Sequence, residues 1–332
     1  MTLASSLAPA TPRVGFTSHP WVRFGVRRLG RLLVSLWVLV TASFLMIHLI
    51  PGDPVRAALG PTAPAALVKS KRAEMGLDDP ILVQYWHYFQ HLFTGDLGTS
   101  LVSRLPVSDI VSQRLPATLQ LALLAFLVAV AVAVPVGVLV GVLTRRGHGR
   151  RTELTFTTGS VVLGTIPDFL IGVGLVYVFG VNLQYLPVAG NETADAYILP
   201  VLSLAIGPAA IMSRIVRVEM VSVLQADFIR TARAKRLPSL NIYLGHALPN
   251  ALTASLTLGG LFLSAMVAGT VLVENVFAWP GLGSAIVSSI LNKDYQVVQA
   301  IVLIYGSGVL LVNTSVDVAL ALLDPRSTIR ED

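Results

Sequence analysis

The 332-residue sequence contains no cysteine and few charged residues, and each shortage excludes a class of protein. Without cysteine, the chain can form no disulfide, no thiolate metal site and no cysteine nucleophile. Charged residues make up 13% of the chain and hydrophobic residues 54%, a balance that a water-soluble protein of this length could hardly accommodate. The composition therefore predicts a membrane protein.

The sequence also lacks the motifs of nucleotide binding and catalysis. It has no G-x-x-x-x-G-K-[ST] loop to cradle phosphates, and no nucleophile, base and orienting residue can be assembled. We therefore expect a non-catalytic chain with no cofactor of its own. His87 and His91 have the i, i+4 spacing of metal ligands, but without an acidic third ligand they favour an interfacial aromatic face over a metal site. No basic stripe with interleaved aromatic residues is present, so nucleic acid is not an expected partner.

Six apolar stretches are long enough to cross a bilayer as α-helices. They cover about residues 32–50, 118–143, 157–180, 198–218, 251–273 and 297–322. They predict an all-α, polytopic membrane protein with six transmembrane helices. The first stretch follows a basic segment, 1–31, and no small-residue cleavage pattern follows it, which favours a retained signal anchor over a cleaved signal peptide.

The positions of lysine and arginine predict the orientation of these helices, because short cytoplasmic loops are enriched in both residues. The connection after the second stretch contains four arginines, and the loop 219–250 contains four basic residues between positions 230 and 236. The connection 181–197 contains none. We therefore expect segment 1–31, loop 219–250 and tail 323–332 to be cytoplasmic, and segment 51–117 to lie outside.

The outer segment 51–117 has a pattern typical of short helices. Asp79 is suited to cap a helix that begins at Pro80 and ends at Gly95. The apolar face of that helix, suited to the membrane interface, comprises Ile81, Tyr85, Tyr88, Phe89 and Leu92. Two further helices are predicted over about 64–75 and 106–114.

The most informative polar stretch lies in loop 219–250. Leu224, Phe228 and Ala232 recur at helical spacing and predict one apolar stripe. An acidic residue at the start of this helix and basic residues at its end suit the helix dipole. This pattern predicts a short amphipathic helix at the membrane surface that a partner protein contacts. The residues assigned to it are Gln225, Asp227, Phe228, Arg230, Thr231, Ala232, Arg233, Ala234, Lys235 and Arg236.

This loop, which ends at His246-Ala247-Leu248-Pro249-Asn250, resembles the "EAA" coupling loop of ATP-binding-cassette (ABC) importer permeases, in its dipeptide/oligopeptide form. The motif Pro51-Gly52-Asp53-Pro54 and the long outer segment resemble the B-type subunit of that family. An outer turn motif at the end of the fifth stretch agrees with the family signature: Glu274, Phe277, Pro280, Gly281 and Gly283. One departure is Arg236, where the family usually has glycine. We expect Arg236 to end the helix differently, with Pro238 as the stop.

The resemblance implies the type I ABC importer permease fold and a set of partners. These are a C-type permease in a heterodimer, two ATPase domains or subunits that bind ATP and magnesium, and an extracytoplasmic binding protein. The implied location is the cytoplasmic (inner) membrane, and the implied substrate is a short peptide. The same family also transports nickel, glutathione and haem, and the sequence leaves these alternatives open.

Asp168 is the main ionisable candidate inside a predicted span, because a buried carboxylate requires water, a partner or a cavity. It could line the translocation path or bind a structural partner, and Pro167 is expected to kink the span. An ion-coupled secondary transporter, the rival class, would need internal repeats and coupling carboxylates near the midplane. Only Asp168 fits the second requirement.

Other polar and small residues within the spans also carry expectations. Gly137 and Gly141 form a G-x-x-x-G pattern that predicts close helix packing. Asp317 lies near the inner end of the last span, where solvation or an arginine partner is easier to find. His48 and Glu274 lie at outer ends of spans, where we expect them to be interfacial.

Overall fold

The structure is a computed structural model that describes residues 20–49, 52–145 and 149–323. Within these ranges the chain forms twelve α-helices and no β-strand. Their bounds are α1 Pro20–Leu49, α2 Pro54–Leu59, α3 Ala65–Glu74, α4 Ile81–Thr94, α5 Val107–Leu143, α6 Arg150–Thr165, α7 Asp168–Leu175, α8 Ile198–Val223, α9 Asp227–Ala234, α10 Leu248–Val276, α11 Leu282–Leu291 and α12 Tyr295–Leu323. Most of the predicted tail, 323–332, residues 1–19 of the basic segment, and Pro51 lie outside the described residues.

Five helices are long and apolar enough to cross a membrane, namely α1, α5, α8, α10 and α12. The third predicted span, 157–180, is divided into two helices, α6 and α7. A π-helical segment, Val176–Asn182, extends α7. The axes of the two parts differ in direction by 95°. Ile166 has an extended conformation, with ψ of 125°, because the following Pro167 disfavours helical geometry there. The predicted all-α fold is confirmed, but the predicted kink at Pro167 is a complete break between two helices.

The outer segment differs from the prediction in two details. Helix α4 begins at Ile81 after Pro80, and Asp79 makes no capping hydrogen bond to it, so the predicted Asp79 cap is wrong. Instead, the Asp79 carbonyl accepts a hydrogen bond from the Gln84 side chain at 2.7 Å. Gly95 ends α4 in the left-handed conformation, with φ of 75°. The helix predicted over 106–114 is the beginning of α5, because Pro116 lies inside that helix without ending it.

Helices α5 and α8 pack closely along the predicted glycine pattern. A Cβ atom on Gly137 would lie 2.6 Å from the Ser213 carbonyl oxygen, and one on Gly141 would lie 3.0 Å from the Met220 Cβ. Neither position can hold a larger side chain without separating the helices. The two glycines therefore allow the close approach that the sequence predicts.

The expectation that Glu274 is interfacial is wrong, because its side chain is fully buried at the outer end of α10. The carboxylate accepts hydrogen bonds from the Thr118 hydroxyl at 2.7 Å and from the backbone N–H groups of Gly283 at 2.6 Å and Ser284 at 3.1 Å. Two of these donors belong to the first turn of α11, where a helix presents unpaired N–H groups and a positive dipole end. Glu274 thus joins α5, α10 and α11.

The rest of the outer turn motif surrounds this carboxylate. A Cβ atom on Gly281 or Gly283 would collide with Glu274, so only glycine fits both positions. The buried Trp279 donates a hydrogen bond from Nε1 to the Ala117 carbonyl of α5 at 3.1 Å. Phe277 is also buried and contacts α7, whereas Pro280 is exposed. Four helices therefore meet at this turn.

An ion pair joins α1 and α12 at the end of the bundle opposite the outer turn motif. Arg28 of α1 contacts Asp317 of α12, so the expected arginine partner of Asp317 is present. At the other end of α1, a ring nitrogen of His48 lies 3.0 Å from the Gln84 side-chain oxygen of α4. Helix α1 is thus held to α12 at one end and to the outer segment at the other.

Glu274→Gln is expected to lower the thermal unfolding midpoint of the purified chain. Glutamine keeps a single acceptor oxygen for donors that now share two carboxylate oxygens, and it removes the negative charge; hydrogen bonds to a charged group contribute about 1.5–3 kcal/mol. The exposed Glu192, in the loop before α8, provides the control substitution Glu192→Gln. Equal unfolding midpoints for the two variants would show that the Glu274 hydrogen bonds do not hold α11 in place.

Candidate coupling surface and translocation path

The candidate coupling helix is α9, and its apolar side is not the predicted one. Leu224 follows the last turn of α8 and does not belong to α9. Phe228 is 47% exposed, whereas Ile229 and Ala232 are buried. The predicted stripe of Leu224, Phe228 and Ala232 is therefore wrong. Most of the predicted coupling residues are exposed, and Arg233 is half-buried; the exposed ones are Gln225, Asp227, Phe228, Arg230, Thr231, Ala234, Lys235 and Arg236.

The buried side of α9 contacts the chain itself. Ile229 and Ala232 pack into a cluster with residues from the end of α8, the start of α10 and the π-helical segment Asn241–Ala247. We name this the inner-end cluster; its buried members are Met220, Leu224, Ile229, Ala232, Ile242, Ala247 and Ala251. The i, i+3 spacing of Ile229 and Ala232 is the sequence signal for this face, since both residues point to one side of a helix.

Arg236 ends α9 in the way that glycine would. Its φ is +56°, in the left-handed region. The Arg236 N–H donates to the Arg233 carbonyl at 2.9 Å, and the Leu237 N–H donates to the Ala232 carbonyl at 3.3 Å. These two bonds form a Schellman motif. The expectation of a different helix end is therefore wrong. The left-handed backbone conformation of Arg236 costs about 1–2 kcal/mol, which glycine would avoid.

The exposed side of α9 offers an aromatic ring among charged groups. Arg230 forms an ion pair with Asp227 at 3.1 Å, but both side chains are at least 75% exposed, so the pair contributes little stability. Phe228 is the one large apolar side chain of α9 that is exposed. Aromatic residues of this kind are typical anchors of protein interfaces.

Polar contacts connect the surroundings of α9 to the ends of α5 and α6. Arg145, two residues after the end of α5, donates a hydrogen bond to the Tyr243 hydroxyl and lies over the Tyr243 ring at 5.4 Å from its centroid. Arg217 of α8 forms an ion pair with Glu153 of α6 at 2.6 Å. These contacts place α5, α6 and α8 in one connected group with the coupling helix.

Asp168 is the first residue of α7, directly after the break in the third span. Its carboxylate lies over two glycines, since a Cβ on Gly207 of α8 would be 3.2 Å from Oδ1 and one on Gly269 of α10 would be 3.5 Å from Oδ2. The Asp168 carbonyl, not the carboxylate, accepts a hydrogen bond from the Ser203 hydroxyl at 2.6 Å. In the described ranges, the ion pairs involve other acidic residues, so a bundle arginine does not neutralise Asp168.

A cavity of about 380 Å³ lies between α5, α6 and α8. Its walls are mainly apolar side chains such as Val132, Phe156 and Leu163, with hydroxyl groups from Thr155 and Ser160. Asp168 is not among the residues that line it. The cavity therefore gives no support to a role for Asp168 in the path.

The histidine pair of the outer segment does not form a cluster of ligands. His87 and His91 are exposed on α4, and His91 Nδ1 lies 3.0 Å from the Asp96 carboxylate. Across the part of the chain that the structure describes, no group of three or more His, Cys, Asp or Glu side chains is arranged to hold a metal ion.

Two sequence-family profiles match the chain. Residues 133–329 match the profile described as "Binding-protein-dependent transport system inner membrane component". Residues 21–122 match the corresponding N-terminal profile of such membrane components. The first match contains the break at Asp168, the coupling helix and the outer turn motif, and it covers more than half of the chain.

Individual relatives agree with this result. The chain is 38% identical over 304 residues to the "Glutathione transport system permease protein GsiC" of Salmonella typhimurium, which covers 92% of this chain and 98% of the relative. The protein of the same name from Escherichia coli K12 is 36% identical with the same coverage. An inward-facing structure of the MetNI methionine ABC transporter matches with a TM-score of 0.55, covering 65% of this chain and 96% of that chain. At 19% identity, this structural match supports the fold alone.

The family assignment follows from the two profile matches and the full-length relatives. Partners of such a permease are a second permease, ATPases and a binding protein, and its location is the inner membrane, which it crosses several times. The chain belongs to the family of binding-protein-dependent transport system inner-membrane components, the permease subunits of ABC importers.

Proposed function

We propose that this chain pairs with a C-type permease and that the two enclose a translocation path for short peptides. Glutathione is the specific peptide that we favour, because full-length relatives at 36–38% identity are named glutathione permeases. Glutathione is itself a tripeptide with a free amino group and two carboxylates. It therefore lies within the substrate class that the coupling loop and outer segment imply.

In this proposal, α9 is the cytoplasmic element that the ATPase contacts. Phe228 enters a pocket of the ATPase, and the exposed basic residues around it contact the rim of that pocket. The opposite side of α9 is buried in the inner-end cluster. A displacement of α9 would therefore move the inner ends of α8 and α10 with it, because close-packed interfaces transmit movement rather than absorb it.

ATP provides the energy through the partner subunits, and this chain contributes binding surfaces only. When ATP draws the two ATPases together, the coupling helices of both permeases approach one another. The bundle then changes from an inward-open to an outward-open arrangement, a two-state equilibrium biased by different contacts in each state. The extracytoplasmic binding protein delivers the peptide to the outward-open arrangement.

Asp168 is the residue that we assign to the path. Its carboxylate has no ion-pair partner in the described bundle, and it lies at a break in a span beside α8 and α10. Glycines at positions 207 and 269 provide the room that the carboxylate itself occupies between α8 and α10. A carboxylate without an ion-pair partner suits the amino group of a passing peptide.

A matched pair of substitutions on the two sides of α9 tests the coupling role. Phe228→Ala is expected to leave the permease as stable as the wild type while weakening ATPase binding by about 2 kcal/mol, the usual cost at an interface anchor. Ala232→Asp places a charge in the inner-end cluster and is expected to lower the stability of the permease itself. The measurements are ATPase co-purification and thermal unfolding. Wild-type ATPase binding by Phe228→Ala would contradict the proposal.

The complex reconstituted in proteoliposomes, with its binding protein, is expected to accumulate labelled glutathione only when ATP is enclosed with the ATPases. Asp168→Asn is expected to reduce uptake per assembled complex by about tenfold, equivalent to about 1.4 kcal/mol. Asp195→Asn, an exposed aspartate in the loop before α8, is the control. Uptake of glutathione at the wild-type rate by Asp168→Asn would remove this residue from the path, whereas absence of glutathione uptake by the wild type would reject the substrate.

A further inference from the structure

Helix α4 of the outer segment is uncharged over its whole length. Its 14 residues, Ile81–Thr94, include no Asp, Glu, Lys or Arg, although Asp78, Asp79 and Asp96 flank it closely. A water-exposed helix of four turns normally carries charged groups on its outer side. The surroundings of α4 therefore need an explanation other than bulk water.

One face of α4 packs on α1. The Tyr85 hydroxyl lies 2.9 Å from the Thr41 hydroxyl, and the Tyr88 hydroxyl donates to Ser43 at 3.4 Å. The Phe44 ring contacts Tyr85 with 5.2 Å between centroids. Much of the apolar face that the sequence predicts for the membrane interface is therefore occupied by α1.

The contacts on α1 determine how deep α4 lies. The apolar part of α1 begins directly after Arg31, and Ser43 is twelve residues further along the helix. At a rise of 1.5 Å per residue, this places Ser43 about 18 Å from the basic end. The hydrocarbon core of a bilayer is about 30 Å thick. With Arg31 at the inner boundary and α1 perpendicular to the bilayer, the residues of α1 that contact α4 lie between the midplane and the outer boundary of the hydrocarbon core.

A second apolar face of α4 is largely uncovered by the residues that the structure describes. Leu82 is 79% exposed, Trp86 58% and Phe93 78%, and their spacing with Phe89 is i, i+4, i+7 and i+11, which forms one stripe. The Phe89 and Phe93 rings contact each other at 4.9 Å. The remaining side of the helix is exposed and mainly polar; it consists of His87, Gln90, His91 and Thr94, together with Val83.

We propose that α4 is embedded in the outer leaflet, with the stripe of Leu82, Trp86, Phe89 and Phe93 against phospholipid acyl chains. Leu45 and Leu49 of α1, which follow in sequence the residues that contact α4, are exposed apolar side chains as well. The polar side of α4 faces the headgroups, as in other interfacial helices. Contact with lipid fixes the position of the outer segment relative to the membrane surface. This role does not depend on which substrate the permease transports.

Because the chain has no cysteine, single spin labels test this arrangement directly. Leu82→Cys and Phe93→Cys place labels on the lipid stripe, and Gln90→Cys places a matched label on the polar side of the same helix. The complete complex, with partner subunits freed of cysteine, is assembled in phosphatidylethanolamine/phosphatidylglycerol nanodiscs. The measurement compares collision rates with oxygen, which concentrates in lipid, and with a water-soluble nickel chelate.

The labels at positions 82 and 93 are expected to show an oxygen-to-nickel collision ratio several-fold above that at position 90. Equal access of the nickel chelate to all three labels would place α4 in water and overturn the proposal. Low collision with both reagents at positions 82 and 93, relieved when the binding protein is omitted, would also overturn it, because a protein would then cover the stripe.

Discussion

The contact between α9 and the rest of its own chain determines how α8, α9 and α10 are arranged relative to one another. A helix of eight residues is not stable by itself in water. Ile229 and Ala232 give it a buried side, and the left-handed turn at Arg236 closes its last carbonyl groups. Position and direction of α9 are therefore fixed by α8 and α10. Because Ile229 and Ala232 are buried, Phe228 and its charged neighbours remain exposed on the opposite side of α9. One helix therefore has a side packed on its own chain and a side available to a partner.

Helix α10 connects this contact to the opposite end of the molecule. It begins at the inner-end cluster and carries Glu274 in its last turn, where the carboxylate binds α11 and Thr118 of α5. The break in the third span lies beside α10. There, the Asp168 carboxylate lies over Gly207 of α8 and Gly269 of α10. A movement of α10 that starts at α9 would therefore reach both the unpaired carboxylate and the outer turn through rigid helix.

Sequence periodicity was sufficient for the coarse architecture, since long apolar stretches, Gly137 and Gly141 each have a single physical consequence in a helical membrane protein. It was insufficient where a contact distant in sequence decides the environment. The burial of Glu274 depends on Thr118, which is 156 residues away. The buried side of α9 depends on the π-helical segment that follows it. At Arg236, the low propensity of non-glycine residues for the left-handed conformation argued against such a turn. The inner-end cluster, whose residues precede and follow position 236, imposed that conformation.

The central claim is that α9, α8 and α10 move as one body when ATP binds to the partner ATPases. Spin labels at Lys235→Cys on the exposed end of α9 and Val218→Cys on the exposed side of α8 measure the distance that the inner-end cluster should fix. The account predicts the same distance distribution in the nucleotide-free complex and in the complex trapped with ATP. A shift of several ångströms between the two states would show that α9 moves independently and would contradict the account.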